Sequence, residues 1–279
     1  MLAMVQRFFR SAVCHFVLLG LCIVALVPLY FMVVSALKEQ MAFFQDPVGL
    51  PSSPVLDNFA VVFGQSKFAR WILNSAVLTI ASVGLTLGIS CFAAYAFARI
   101  PFTGRHVLFR LTSALMAVPV IAMIVPLFVF MVKVGLVNTY PAAIAVYCGF
   151  MLPYTTFFLT GFFSRLPQGI FDAALIDGCS HGLLLRKFVL PLSLPAIATL
   201  AVVNALWVWN ELLISLVLLQ ADDMRTLMVG ITVFRDRFGV NVPVTMAGLL
   251  VAVFPMLLLY LSGLRYFVSG LMVGSLKGE

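Results

Sequence analysis

The chain has 279 residues, of which 63% are hydrophobic and only 10% are charged, and its mean hydropathy is +1.14. A soluble globular domain carries about 25% charged residues, so the composition excludes a soluble protein and predicts an integral membrane protein. The formal net charge of +7 does not indicate a nucleic-acid partner, because the basic residues are scattered near the ends of apolar segments instead of forming one stripe.

Six apolar segments are long enough to cross a bilayer as α-helices, for which roughly 20 apolar residues are needed. The predicted spans cover residues 13–35, 71–97, 107–132, 140–163, 196–219 and 245–267. Strands of a membrane β-barrel would alternate apolar and polar residues, whereas the first and last segments are continuous apolar runs. We therefore predict a single all-α transmembrane domain over residues 1–279.

The N-terminal segment places Arg7 and Arg10 before an apolar run, as a signal peptide does. Its apolar core is about 22 residues long, against roughly 7 to 15 in a signal peptide, so we predict a retained first span. The loop that follows, residues 36–70, is the longest polar stretch. Its length suits either contact with a solute-delivering protein or a passive connection.

The distribution of basic residues predicts the orientation. With a cytoplasmic N-terminus, ten basic residues lie on the cytoplasmic side and seven on the opposite side. This bias has the sign that the positive-inside rule requires. Both termini and the loop between the fourth and fifth spans are then expected in the cytoplasm.

That loop contains a predicted helix from Gln168 to Ile176, which begins after Pro167 and is followed by a bend at Gly178 and a second short helix to about Leu190. At ~1.5 Å per residue the first helix is about 13 Å long, too short to cross a bilayer, so we expect it to lie along the membrane surface. An interfacial connector is the common explanation of such a segment on composition alone.

A set of residues in this loop resembles the EAA loop of ABC importer permeases. The set consists of Asp172, Ala173, Ala174, Asp177 and Gly178, followed by Pro191 and Pro195. In that family the loop forms a coupling helix that docks in a groove of a cytoplasmic ATPase subunit, and the resemblance implies the same for residues 168–190, here named the coupling segment. Alanines allow close approach of a partner, acids pair with basic side chains, and glycine permits a sharp bend. Asp172 stands where Glu is usual, and Cys179 where Ala is usual.

Other motifs, in order along the chain, resemble the carbohydrate-uptake subgroup of these permeases, in particular its maltose-type second permease. They are Asn58-Phe59, Asn74-Ser75, Ala94 to Arg105, Gly135 to Tyr140, Trp207 to Glu211 and Gly270 to Gly278. Each motif is weak alone, but the ordered set covers nearly all of residues 57–278. The resemblance implies a type I ABC importer permease fold with six transmembrane helices and a cytoplasmic coupling helix, in the inner membrane of a bacterium.

The same resemblance implies the function and the partners. The chain is expected to form half of the pathway for a sugar or related polyol, together with a second homologous permease, two cytoplasmic ATPase subunits and an external solute-binding protein. It contains no GxxxxGK[ST] loop, so we expect it to be no enzyme and to bind no cofactor, with ATP and Mg²⁺ held by the ATPase subunits. The spacing of its cysteines and histidines predicts no metal site.

Glu211 is the one acid predicted inside a span, where a carboxylate is costly and indicates a functional or paired position. Asn204 precedes it by seven residues, so the two side chains fall on one helix face with Trp207 or Val208 between them. That face is a candidate lining of the translocation path, with Trp207 stacking on a sugar ring. The alternative is that Glu211 fixes its helix in the bundle through a hydrogen bond.

A secondary transporter of a small polar solute, driven by an ion gradient, is the alternative function. It would be favoured by several carboxylates inside the spans and by inverted repeats. The sequence offers one candidate acid and no visible repeat.

Overall fold

The computed structural model describes the backbone of residues 2–64, 67–237 and 241–275, and the side chains of residues 11–64, 67–232 and 241–263. Within these ranges the chain is helical and contains no strand. The α-helices are α1 Leu2–Ala36, α2 Gln40–Gln45, α3 Asp57–Gly64, α4 Phe68–Arg99, α5 Arg105–Ala114, α6 Val120–Lys133, α7 Tyr140–Ser164, α8 Gln168–Ile176, α9 His181–Leu184, α10 Leu190–Leu192, α11 Leu194–Asn210, α12 Leu213–Leu218, α13 Leu227–Arg237 and α14 Val242–Ser275. A 3-10 turn, Leu115–Ala117, follows α5, and a π-helical turn, Leu185–Val189, follows α9.

Four of the described helices are long and apolar enough to cross a membrane, namely α1, α4, α7 and α14. Two further apolar stretches are bent, because α5 with its 3-10 turn meets α6 at 99° and residues His181–Leu192 meet α11 at 75°. The chain therefore makes up to six crossings, depending on whether each bent pair crosses once. The first bend lies at Pro119, which has no backbone N–H and precedes α6 in an extended conformation.

The structure interrupts two of the spans that were predicted as continuous. The predicted span 107–132 contains the bend at Pro119, and the predicted span 196–219 is broken where α11 ends at Asn210 and α12 begins at Leu213. Hydropathy depends on composition and does not detect a change of direction inside an apolar stretch.

The chain divides into two units, one of Met1–Phe68 with Ile231–Val253 and one of Ala69–Gly230 with Phe254–Glu279. In the first unit the loop after α1 folds back on the end of that helix. The side-chain amide of Asn58 donates hydrogen bonds to the carbonyls of Ala36 and Lys38, both at 2.8 Å. The hydroxyl of Tyr30 donates to the carbonyl of Val48 at 2.9 Å. The loop is thus anchored through its backbone.

In the second unit, α4 and α7 run side by side in the same direction. Three hydrogen bonds join hydroxyl or thiol donors of α7 to acceptors of α4: Tyr140 to Asn74 (2.7 Å), Cys148 to the carbonyl of Ser82 (3.4 Å) and Thr156 to Ser90 (3.1 Å). The partners are 66 residues apart in every pair, so the two helices are parallel and keep a constant register. The small side chains of Ser82 and Ser90 allow the close approach, as small residues commonly do between membrane helices.

The parallel packing determines the course of the chain between these helices. The end of α4 lies beside the end of α7, since Arg99 donates to the carbonyl of Phe163, whereas the start of α7 lies beside Asn74. The connection through α5 and α6 must therefore return along the whole pair. The length of α4 between Asn74 and Arg99 is about 38 Å at ~1.5 Å per residue, which exceeds the thickness of a hydrocarbon core, about 30 Å. The bent pair α5–α6 accordingly makes one crossing.

Helix α11 packs against α7 in the opposite direction. Near the middle of α7, Thr155 accepts a hydrogen bond from the amide of Asn204 at 3.0 Å. Earlier in α7, Tyr147 shares a hydrogen bond of 2.6 Å with the hydroxyl of Ser215 in α12. Two core clusters fill this unit, one around Tyr147 and one around Leu159 and Phe163. The second cluster also contains buried residues from the loop between α7 and α11, among them Phe171 and Leu184.

Candidate functional site

Helix α8, the first part of the coupling segment, has the bounds predicted from the sequence. Pro167 stands immediately before the helix and not at its first helical position. The helix ends because Gly178 takes a left-handed conformation, with φ +78°, which only glycine adopts without strain. The N–H of Cys179 donates to the carbonyl of Ala174 at 2.9 Å and that of Gly178 to Leu175 at 3.0 Å, the two hydrogen bonds of a Schellman motif.

The two faces of α8 differ in exposure. Phe171 and Ala174, 4% and 5% exposed, belong to the second core cluster. The acid Asp172 and its neighbour Ala173 are exposed on the other side, and the side chain of Ile176 is 86% exposed. The paired alanines therefore have different environments. Ala173 is open to a partner, whereas Ala174 lets α8 lie close against the core.

The second part of the coupling segment is less regular than a single helix. The hydroxyl of Ser180 accepts a hydrogen bond from the N–H of Leu183 at 3.4 Å and caps α9. The π-helical turn Leu185–Val189 follows, and the segment ends at Leu190, the first residue of α10. Leu184 and Val189 are fully buried, while Arg186 and Lys187 are exposed. The exposed side of the segment thus carries acids before the bend at Gly178 and bases after it.

Arg99, at the end of α4, connects α4, α7 and α8. One guanidinium nitrogen donates to the carbonyls of Phe163 and Leu166 at 2.7 and 2.6 Å. Another donates to the side-chain oxygen of Gln168 at 2.7 Å, and the guanidinium carbon lies 3.9 Å from the centroid of the Phe171 ring. In the sequence, Arg99 stands out only as one residue of the motif from Ala94 to Arg105. The available signal was an arginine at the last position of an apolar span.

Residues of several weak motifs converge at the other end of α4. The amide of Asn74 donates to the carbonyls of Asp223 and Arg225 at 2.9 and 2.8 Å. Its oxygen accepts the hydrogen bond from Tyr140, and the hydroxyl of Ser75 accepts one from the N–H of Leu227 at 2.8 Å. The motifs around Asn74 and Tyr140 thus hold the loop between α12 and α13.

Glu211 ends α11, and its carboxylate faces the first turn of α12. It accepts hydrogen bonds from the N–H groups of Ile214 at 2.9 Å and Ser215 at 3.3 Å, and from the hydroxyl of Tyr147 at 3.1 Å. An anion at this position satisfies N–H groups that have no partner inside the helix and interacts favourably with the helix dipole. The carboxylate therefore links α7, α11 and α12.

The other two candidates for the translocation path have different surroundings. Asn204 is 3% exposed and is hydrogen-bonded to Thr155, as described above. Trp207 is partly buried, with its ring 6.0 Å from that of Tyr147 and 6.5 Å from that of Phe150. The structure thus brings Trp207 and Glu211 to the same tyrosine, Tyr147, but does not place all three candidates on one open surface.

A cavity of 410 Å³ lies between α7 and the bent pair of α5 and α6. Its lining is almost entirely apolar and includes Met123, Phe130, Val146 and Phe150. Since Phe150 also contacts Trp207, the cavity adjoins the aromatic group of Tyr147, Phe150 and Trp207. Within the described residues, no group of three or more His, Cys, Asp or Glu side chains is arranged to hold a metal ion.

Residues 84–268 match the family described as binding-protein-dependent transport system inner membrane component. A protein described as an ABC transporter permease from a Caldicellulosiruptor strain is 36% identical, over 92% of this chain and 93% of the relative. The arabinooligosaccharides transport system permease protein AraQ of Halalkalibacterium halodurans is 33% identical, over 91% and 92%.

Solved structures share the fold. One chain of a bacterial ABC transporter involved in the import of the acidic polysaccharide alginate is similar with a TM-score of 0.79. The likeness covers 94% of this chain and 97% of that chain at 22% identity.

Proposed function

Because the chain belongs to the family of binding-protein-dependent transport system inner membrane components, we propose that it forms half of the transmembrane pathway for a sugar or related polyol. The family makes it a membrane-embedded permease subunit of an ABC importer with the type I fold. It is therefore neither an enzyme in its own right nor a secondary transporter driven by an ion gradient.

The carbohydrate class of the solute rests on two observations. The relative from Halalkalibacterium halodurans is a permease for arabinooligosaccharides, and it aligns over almost the whole of both chains. The ordered motifs between residues 57 and 278 resemble those of carbohydrate permeases. A sugar needs hydrogen-bonding groups and an aromatic face in its path, and the partly exposed side chains of Trp207 and Glu211 are of these two kinds.

The proposed assembly contains this chain, a second homologous permease, two cytoplasmic ATPase subunits that bind ATP and Mg²⁺, and an external solute-binding protein. The distribution of basic residues supports cytoplasmic termini and a cytoplasmic coupling segment. In this orientation the loop between α12 and α13 lies on the external side, because it is held at the opposite end of α4.

The observation that carries the coupling role is the asymmetry of α8. One face is fixed in the core through Phe171 and Ala174, while Asp172, Ala173 and Ile176 are exposed to a partner. A small residue beside an exposed acid allows a second protein to approach closely and to place a basic group on the carboxylate. A helix held on one face and bound on the other transmits displacement to the spans.

The mechanism follows from two states of the assembly. ATP closes the ATPase dimer, and the grooves that hold the coupling segments move. The spans then change the translocation pathway from inward-facing to outward-facing. Each state is stabilised by different contacts at the coupling segment, so nucleotide binding shifts the population between them.

The test is to purify the chain from its native membrane in mild detergent, identify the proteins that accompany it, and measure solute uptake. We expect an ATPase and a second six-span permease in the preparation. Uptake is expected to stop when ATP is depleted and to continue when only the proton gradient is dissipated. A chain that is purified alone and transports solute into liposomes without ATP contradicts the proposal.

Ala173→Arg provides a site-specific variant, and Arg110→Ala is a control of exposed charge outside the coupling segment, for which normal uptake is expected. Because Ala173 is exposed, the larger side chain leaves the fold intact but blocks close approach of the ATPase. We expect at least about a tenfold loss of uptake with normal membrane insertion for Ala173→Arg, as a lost contact of ~1.4 kcal/mol would produce.

A further inference from the structure

We propose that Tyr95 and Arg99 are positioning residues that fasten the coupling segment to α4 at two points, so that the segment and the helix move together. This inference rests on the coupling role proposed above and goes beyond it, because it identifies the span that receives the displacement. The two residues are four apart and share one face of the last turns of α4.

Arg99 makes the first attachment, before the bend at Gly178. Its planar guanidinium bonds the carbonyls of Phe163 in α7 and of Leu166 just after it, and it also contacts the side chain of Gln168 and the face of Phe171. Gln168 in turn donates to the carboxylate of Asp172 at 3.0 Å. A continuous chain of contacts therefore leads from the exposed acid of α8 to the end of α4.

Tyr95 makes the second attachment, after the bend. Its hydroxyl lies 3.0 Å from Nδ1 of His181, the first residue of α9, and the two rings meet edge to face at 6.0 Å. Tyr95 is only 3% exposed, so the hydroxyl is fixed by the packing around its ring. With α8 held by Arg99 and α9 held by Tyr95, the two helices cannot change their angle at Gly178 without breaking one attachment.

A displacement of α4 would reach the loop between α12 and α13. At its other end α4 holds the loop between α12 and α13, through Asn74 and through Trp71, whose indole N–H donates to the carbonyl of Asp222 at 3.0 Å. Helix α4 has no proline in its interior and is the longest helix of its unit in direct contact with the coupling segment. A movement of the segment is thus delivered along α4 to a loop on the opposite side of the membrane.

A simpler role for Arg99 is to satisfy the last carbonyls of α7, which have no partner within that helix. That role predicts a less stable protein but unchanged coupling between hydrolysis and transport. The two roles are separated by the number of solute molecules imported per ATP hydrolysed, which stability alone does not change.

The experiment uses the complete transporter in proteoliposomes with its binding protein and solute. The variants are Arg99→Met, Arg99→Lys and Tyr95→Phe, and Arg110→Met is the control because Arg110 is an exposed arginine on α5. We expect the solute-to-ATP ratio to fall about fivefold or more for Arg99→Met, the range of a coupling energy of ~1 kcal/mol or above. Lysine keeps the charge but lacks the planar fork, so Arg99→Lys is expected to restore the ratio only partly.

A second measurement tests the attachment independently of transport. Hydrogen exchange of backbone amides in residues 168–184 of the isolated chain is expected to accelerate in Arg99→Met and Tyr95→Phe, and to be unchanged in Arg110→Met. Faster exchange in these two variants, in a chain that is purified without any ATPase, would refute the proposed function but leave the attachment standing. Tyr95→Phe removes a single hydroxyl and preserves the fold, so unaltered exchange and an unaltered ratio in this variant overturn the inference.

Discussion

Several polar side chains of this chain satisfy backbone groups at the points where its helices end. Arg99 donates to a carbonyl at the end of α7, and Asn58 donates to a carbonyl at the end of α1. Glu211 accepts from an N–H group at the start of α12. Each of these side chains bonds two backbone groups. In a membrane protein the cost of an unpaired N–H or carbonyl is several kcal/mol, because the hydrocarbon core holds no water to replace the partner. Polar residues at helix ends are therefore structural anchors as well as candidate functional groups.

Gly178→Ala tests the bend of the coupling segment. At φ +78° a Cβ costs about 1 to 2 kcal/mol through contact with the backbone, although no other atom lies near it. We expect this variant to change the angle between α8 and α9 and to reduce uptake, with normal amounts of protein in the membrane. Gly182→Ala is the matched control, since Gly182 lies within α9 with free space around it, and uptake is expected to be normal. Equal uptake in both variants would show that the bend is not required.

At the scale of elements, the breaks in apolar stretches position side chains and shape the interior of the protein, as the long helices do. The break between α11 and α12 lets Glu211 reach the N–H groups of the next helix. The bend between α5 and α6 opens the apolar cavity against α7. Both breaks lie beside α7, because Glu211 bonds Tyr147 and Phe150 lines the cavity at the bend.

Glu211→Ala distinguishes the two hypotheses for this carboxylate. If it anchors α12, the loss of its hydrogen bonds should lower the free energy of unfolding by about 2 kcal/mol, a typical value for bonds to a charged group. Thermal unfolding of the purified chain in detergent measures this effect. Glu211→Gln is the control, because its amide oxygen still accepts a hydrogen bond and should restore most of the stability. A variant with unchanged stability but altered solute affinity would instead favour the lining of the translocation path.

At the scale of the whole molecule, the parallel packing of α4 and α7 determines which loops share a side of the membrane. The loop after α4 and the coupling segment lie at the end marked by Arg99. The turn before α7 and the loop between α12 and α13 lie at the end marked by Asn74, where Asn138 also accepts a hydrogen bond from the N–H of Ala221 at 2.8 Å. This arrangement holds whatever the absolute orientation of the chain.

Single cysteines introduced into a variant without the five native cysteines test this arrangement. Thr103→Cys and Gln168→Cys should react with a membrane-impermeant maleimide from one side, and Thr139→Cys and Gln220→Cys from the other. The proposed orientation places the first pair in the cytoplasm, so in intact cells only the second pair should be labelled. Labelling of Thr103→Cys and Thr139→Cys from the same side would contradict a crossing by α5 and α6.

Features that depend on neighbouring residues could be predicted from the amino-acid sequence. The apolar content and segment length predicted a helical membrane protein, and Pro167 and Gly178 predicted the bounds of α8, because helix ends are set by residues within one turn. The order of the motifs identified the family before any contact was known. The sequence did not reveal the bend at Pro119, since prolines also occur in continuous membrane helices.

The fold of the chain, in contrast, determines which distant residues act together. Arg99 is 64 residues from Phe163, Tyr95 is 86 residues from His181, and Asn74 is 151 residues from Arg225. It also separated Ala173, which is exposed, from Ala174, which is buried, although the two are adjacent and identical. Burial and pairing depend on which helix faces pack together, and a single sequence does not record those contacts because the residues that make them lie on different helices.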